Sequence, residues 1–261
     1  MTAGASRALP RPVVDVLPAV VLFVAAAACW VVTAQRMDGM DMGPGTDLGG
    51  LGWFAGIWAT MMAAMMLPSL VPMERAYAAA AGGRGRWSFR PVAATTGFSA
   101  GYLLVWVLAG VVAYAVFEGI RSLDPAWLAW DRAGPYLAGG VIIGAALYEL
   151  TPAKATCLRH CRQPELLTHN RRPGPIGAMR DGIGHGGYCV GCSWALMAAL
   201  FALGVMSLGW MVVVASVVAI EKLLPWSKVA VAATVSLLLV LGVGVALFPG
   251  NVPGLTIPMS T

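Results

Sequence analysis

The chain has 261 residues, 59% of them apolar and 11% charged, against roughly 25% charged in ordinary soluble domains. With a mean hydropathy of +0.76, this composition excludes a water-soluble globular domain and leaves one all-α, membrane-embedded domain over residues 1–261. The net charge of +5 then reads as topology, because Lys and Arg concentrate in the cytoplasmic loops of membrane proteins. It does not call for nucleic acid.

Apolar runs long enough to cross a hydrocarbon layer of about 30 Å occur at about 13–34, 52–72, 92–117, 135–152, 188–206, 209–224 and 227–248. They predict a polytopic helix bundle of about seven spans. Arg7 and Arg11 before the first run resemble the start of a signal peptide, but the run exceeds the usual apolar core of about 7–15 residues; cleavage would leave six spans. The fifth and sixth runs are separated only by Met206-Ser207-Leu208-Gly209, which predicts a tight hairpin. With the N-terminus in the cytoplasm, fourteen basic residues fall inside (Arg7, Arg11, Arg75, Arg84, Arg86, Arg90, Lys154, Arg159, Arg162, Arg171, Arg172, Arg180, Lys222 and Lys228) and three outside (Arg36, Arg121 and Arg132). This bias predicts an N-in, C-out topology. Trp30, Trp53, Trp127, Trp130 and Trp210 then fall near the outer boundary, and Trp87, Trp194 and Trp226 near the inner one.

In chain order, the first chemical anomaly follows span one, where Met37-Asp38-Gly39-Met40-Asp41-Met42 reads as an exposed outer loop. Three methionines in a polar loop have no core to fill. Thioethers are soft ligands that favour Cu(I) over hard cations. Span two carries Met61, Met62, Met65 and Met66, two i,i+4 pairs on adjacent helix faces, followed by Pro68, which is expected to loosen the helix. Such methionines also serve as flexible core filler, and both readings stand at this point. Gly97/Gly101, Gly140/Gly144 and Gly187/Gly191 are small residues four apart that permit close helix approach in lipid.

Acids lie near the inner ends of three spans, Glu74, Glu149 and Glu221. With Arg75, Lys154 and Lys222 close in sequence, the plain reading is snorkelling and ion pairing at the interface. The longest inner loop is expected over about 153–187, flanked by two cysteine pairs. Cys157 and Cys161 are spaced i,i+4 and so share a face on a helical extension of span four. Cys189 and Cys192 form a C-x-x-C that the span limits place at a helix N-terminus, where the positive dipole end favours a thiolate. His160 and His185 add nitrogen donors beside the pairs. On the reducing side of the membrane such spacing points to a metal more than to disulfides. Four thiolates with optional imidazoles suit Cu(I), with Zn(II) second. Cys29, alone in an apolar span, reads as packing.

No hydrolase triad, Walker or dinucleotide motif is present in the sequence. Three functions remain open: a Cu(I)-handling membrane protein, a scaffold or assembly module pinned by a four-cysteine zinc site, and a thiol oxidoreductase using the C-x-x-C. An outer Met cluster, a Met double pair within the membrane and an inner Cys/His cluster form a series that points to inward passage or handover of a soft metal. Its partners would be the lipid bilayer, the metal ion and a metallochaperone or membrane complex, with a homo-oligomer as a further arrangement.

The segments from Trp58 to Pro68 (WATMMAAMMLP), Tyr148-Glu149-Leu150-Thr151-Pro152, Cys157-Leu158-Arg159-His160-Cys161-Arg162, His185 to Met197 (HGGYCVGCSWALM) and Glu221-Lys222-Leu223-Leu224-Pro225 together resemble the bacterial family called predicted metal-binding integral membrane protein, domain of unknown function 2182. The resemblance runs from span two to span six. It implies a metal-binding protein of the bacterial cytoplasmic membrane. Where the family typically has Gly-Cys-Cys-Trp, this chain has Gly191-Cys192-Ser193-Trp194, which leaves Cys157, Cys161, Cys189 and Cys192 as the minimal thiol set.

Overall fold

The computed structural model describes residues 11–37, 48–81, 90–122, 133–169, 171–204, 207–224 and 226–252. Met40 and Met42, with Arg7, Arg84, Arg86, Arg132, Trp87, Trp127 and Trp130, lie outside the described residues. The described chain is helical: α1 (Arg11–Met37), α2 (Leu51–Ala81), α3 (Arg90–Ser122), α4 (Gly134–Glu149), α5 (Pro152–Arg162), α6 (Pro164–His169), α7 (Gly174–Leu203), α8 (Leu208–Leu223) and α9 (Ser227–Leu247), closed by a short 3-10 turn at Pro249–Asn251.

Five of these helices, α1, α2, α3, α7 and α9, are long and apolar enough to cross a membrane, and the bent pair α4 with α5 makes a sixth candidate. This is a helical membrane bundle, as expected, but its counting differs. The residues of the sixth sequence run form α8, whose 16 residues rise only about 24 Å. The stretch 153–187, expected as a loop, is mostly helical: it supplies α5, α6 and the first half of α7. Hydropathy missed it because those turns carry Arg, Gly and His, and their helicity comes from packing.

The packing partner of α7 is α3, and the seam between them is made of glycines. A Cβ added at Gly97 or Gly101 of α3 would run into the backbone carbonyl of Pro175 or Met179, and one at Gly182 of α7 into that of Phe98. A Cβ at Gly186 would lie 3.1 Å from the Tyr102 carbonyl oxygen. Where the helix driving force is contact and not water exclusion, such backbone approach is how spans associate. Of the three pairs singled out by spacing, Gly97/Gly101 is in this seam. Gly140, Gly144 and Gly187 have open space where a Cβ would be, and Gly191 faces the Cys157 sulfur. Spacing alone cannot say which face of a helix meets a neighbour.

Helix α2 runs through the middle of the fold, packed against α1, α3, α6 and α8. Met61, Met62, Met65 and Met66 are all buried, so its adjacent faces are both interior. Pro68 and Pro72 stand inside an unbroken helix, and Ser69 Oγ donates to the Met66 carbonyl at 2.8 Å. Far from loosening, the helix continues to Ala81. Toward its N-terminal end Trp58 Nε1 donates to the Trp106 carbonyl at 2.8 Å, and the Trp58 ring lies 5.6 Å from those of Phe54 and Phe201. Met37, expected in an exposed loop, is the last residue of α1 and only 2% exposed. Gly204, at φ +102°, ends α7 in a conformation that glycine tolerates. It begins the hairpin foreseen between spans five and six, and the Ser207 N–H donates to its carbonyl at 3.0 Å.

Between α4 and α5 the chain bends by 66°. Pro152 has no N–H to continue α4 and drives its predecessor out of the helical region; Thr151 is extended, at φ −77° and ψ 149°, and its side chain accepts from the Lys154 N–H. This cap aims Lys154 inward. Its Nζ donates to Glu149 Oε1 at 2.6 Å and to Glu221 Oε2 at 2.8 Å, with all three side chains at most 2% exposed. The expected ion pairing is present, but it is interior and not snorkelled to an interface. Arg162, at the other end of α5, donates to the carbonyls of Glu221 and Leu224, which closes the C-terminus of α8.

Two outcomes follow from this packing. Lys154→Met would leave two buried acids without their cation and is expected to destabilise the fold by about 3–5 kcal/mol. The thermal midpoint in detergent measures this, and Glu149→Gln/Lys154→Met/Glu221→Gln should recover most of the loss. Gly101→Ala and Gly182→Ala should each cost about 1–3 kcal/mol, the usual range for overpacking a tight contact. Gly144→Ala, into open space, should change the same midpoint by less.

Candidate functional site

Three cysteines from two helices meet beneath the α4–α5 bend. Helix α5 places Cys161, and α7 places Cys189 and Cys192; their residues are 5%, 0% and 2% exposed. The Cys161 and Cys192 sulfurs are 3.8 Å apart, and both thiols lie within interaction range of Cys189. Cys192 Sγ also contacts the Cys189 carbonyl at 3.2 Å and Ser193 Oγ at 3.4 Å. Ser193, in the place of the expected family cysteine, thus keeps a polar atom against the thiol group. None of the described cysteines is in a disulfide.

The C-x-x-C is not at a helix N-terminus. Helix α7 begins at Gly174, four turns earlier, so the dipole argument made from the span limits does not apply. What faces Cys189 is a pair of side chains from other helices. Lys222 Nζ of α8 donates to its sulfur at 2.8 Å, and the Tyr102 hydroxyl of α3 stands 2.9 Å away. An alkylammonium has no acceptor, so toward Lys222 the sulfur is the acceptor. The charge of Lys222 acts on all three sulfurs and on Tyr102.

Cys157 is half-buried, with its sulfur against Gly191. It faces α7 as its i,i+4 spacing requires, one turn of α5 from Cys161. His160 stacks on Tyr188 at 4.1 Å between ring centroids and its Nδ1 is 2.9 Å from the Thr156 carbonyl. His185 is buried one turn before Cys189, with Phe98 and Tyr102 rings at 5.7 and 5.9 Å. The four methionines of α2 and Met37, at the end of α1, are buried in the same apolar core as Cys161, Cys189 and Cys192. Among the described residues, no group of three or more His, Cys, Asp or Glu side chains is arranged to hold a metal ion. The sulfurs form a hydrogen-bonded cluster with Lys222.

Lys222 and Tyr102 were not singled out as site residues from the sequence. Lys222 carried a signal, a lysine beside an acid near the end of an apolar run, but the plain reading placed it at the interface. Tyr102 carried none.

A second polar group links α2 to α3 and α7. Glu74, 1% exposed, is hydrogen-bonded by Ser99 and not by its neighbour Arg75. Tyr77 donates to Asp181 Oδ2 at 3.0 Å, and Asp181 also accepts from the Arg172 N–H at 2.9 Å.

Comparison with known proteins adds one finding. No curated protein and no solved structure matches the chain. A family model described as copper chaperone matches residues 55–245; these include the buried methionines of α2, all four cysteines of the two pairs, Tyr102 and Lys222. The match supports the copper-related, membrane-type part of the resemblance drawn from the motifs and not domain of unknown function 2182 by name, and the chain belongs to the PpoB2 copper chaperone family.

Proposed function

We propose that the protein binds Cu(I) as cargo at the buried sulfurs of Cys161, Cys189 and Cys192 and hands it to an acceptor protein at the membrane. The observation that carries this is the convergence of cysteines 28 to 31 residues apart in sequence into one interior group. The Cys161 and Cys192 sulfurs lie 3.8 Å apart in the copper-free form, so binding would draw already neighbouring sulfurs onto one ion. Thiolates are the soft donors that select Cu(I), and the family's description names copper.

In the copper-free form the sulfurs hold one another and Lys222. Loading requires the thiol protons to leave and the Lys222 contact to Cys189 to open. Lys222 then remains close enough to offset the negative charge that several thiolates bring to a site shielded from water. His185, one turn from Cys189, is the nearest of the expected nitrogen donors along α7. Cys157 and His160, less buried on α5, are placed to pass the ion between the interior sulfurs and a partner. Met61, Met62, Met65 and Met66 supply thioethers within the bundle, Met37 supplies one at the end of α1, and Met40 and Met42 follow it in the sequence; in this reading they form the delivery side of the same route. The basic-residue bias favours the cysteine end at the cytoplasmic face of a bacterial inner membrane with the N-terminus inside; the expected C-terminus outside holds where the short α8 makes a seventh crossing. A metallochaperone or a membrane complex is the acceptor, and self-association would bring two such centres into one assembly.

Zinc in a purely structural role has less support, because Lys154 and Arg162 already join α5 to its neighbours. A thiol oxidoreductase has less support too, since Cys189 and Cys192 are closed to a macromolecular thiol.

Anaerobic Cu(I) titration against a competing chelator, with X-ray absorption at the copper edge, tests the proposal. The wild-type chain should take up Cu(I) with sulfur neighbours. Cys161→Ser/Cys192→Ser should weaken binding by more than the roughly 10–100-fold that loss of an outer supporting group costs, with unchanged elution on size exclusion. Met62→Leu/Met66→Leu should slow loading and leave the final affinity unchanged. Zinc at one equivalent, with Cu(I) affinity the same in the double cysteine variant, would overturn it.

A further inference from the structure

At the end of the bundle away from the cysteines, α1 and α2 part to leave a cleft of about 280 Å3, lined by Val32, Thr33, Arg36, Trp53, Ile57 and Thr60 with Gly52 and Gly56. We propose that this cleft binds the headgroup and upper acyl chain of one anionic phospholipid, with Arg36 and Thr33 holding the phosphate and ester oxygens.

The cleft has a polar end and an apolar end in the order a lipid requires. Arg36, in the last turn of α1, and Trp53, in the first turn of α2, lie level with each other; the guanidinium stands 5.3 Å over the indole ring, and Trp53 is 44% exposed. This pairing of cation and amphipathic ring suits the headgroup region of a bilayer. Helix α2 has no acidic residue in its first turn, so its positive dipole end adds to the Arg36 charge without being neutralised there. Deeper along the helices the lining turns to Val32, Ile57 and Thr60. The floor along α2 is Gly52, Gly56 and Thr60, four residues apart and so about 12 Å in length. Among the described residues nothing lies within 4 Å of a Cβ built at Gly52 or Gly56, so this small-residue stripe is not spent on contact with a described helix as the α3–α7 seam is.

The independent pointer to a ligand is Thr33. Its residue is 1% exposed and its Oγ1 has no hydrogen-bond partner among the described residues, although leaving a buried hydroxyl unpaired is costly. Helical threonines can return the hydroxyl to the carbonyl three or four residues earlier, as Thr60 does to Gly56. Thr33 does not, and it stands one turn from Arg36 on the same face of α1. An ester or phosphate oxygen entering the cleft would complete it.

Native mass spectrometry of the delipidated chain, titrated with phosphatidylglycerol, phosphatidylcholine or inorganic phosphate, tests this independently of copper. One phosphatidylglycerol should be retained per chain, at least tenfold more tightly than phosphatidylcholine. Gly56→Leu, which fills the cleft, and Arg36→Gln should each lose that preference by about tenfold, and Thr33→Val by less. Should Gly56→Leu not fold, Arg36→Gln and Thr33→Val carry the comparison, their integrity checked by thermal midpoint. Equal retention of both lipids by the wild type, unchanged binding in Gly56→Leu or Arg36→Gln, or saturation of the site by inorganic phosphate alone would overturn the proposal.

Discussion

Lys154 between Glu149 and Glu221 is the contact on which the arrangement of the cysteine end depends. In a fold of this composition a charged group has no water to fall back on, so a buried cation must find anionic or hydrogen-bonding partners within the protein. Here one lysine on α5 takes an acid from α4 and an acid from α8. The two acids are 72 residues apart, and the lysine holds them within one hydrogen-bond shell. That places α5, with Cys161, against α8, with Lys222. Together with the Arg162 contacts to the Glu221 and Leu224 carbonyls, this bridge fixes α5 against α8.

The other half of the site is set by a different force. Helix α7 reaches α3 through glycines, so close that backbone meets backbone. This brings Tyr102 to Cys189 and the Phe98 ring to His185. The α3–α7 seam is attraction at short range and needs no charge, while the α4–α5–α8 junction is charge and needs no close backbone approach. The thiols lie where the two meet, which is why their surroundings combine an aromatic hydroxyl on one side and an amine on the other.

Such a position also explains why the interior of a copper chaperone can be stable without its cargo. Each thiol has a neighbour to donate to or accept from, and the Lys222 contact spares Cys189 an unpaired burial. The groups that would hold a soft cation are those that hold one another in its absence. In the proposed loading, exchange of one set of contacts for the other would release a lysine contact and a few protons.

Much of this could be read in the one-dimensional chain. Composition showed a membrane helix bundle, because hydropathy over about twenty residues is a local property. The i,i+4 spacing of Cys157 and Cys161 and the break before α8 are also local, and both were legible; the Thr151 cap is local too, but the span-four run continues straight through it to 152. The resemblance of motifs pointed to a metal-binding membrane family, and the matched family is a copper one. What the chain alone did not decide was every matter of facing. It placed Met37 in an exposed loop, the C-x-x-C at a helix start and the acids at an interface, because Arg-, Gly- and His-rich turns look like loop until a neighbouring helix covers them. Which glycines form a seam, which sulfurs converge and which lysine meets which acid depend on residues tens of positions apart. Only the tertiary structure decides these, since helix propensity and hydropathy act over a few turns whereas close packing and buried charge pairing act between them.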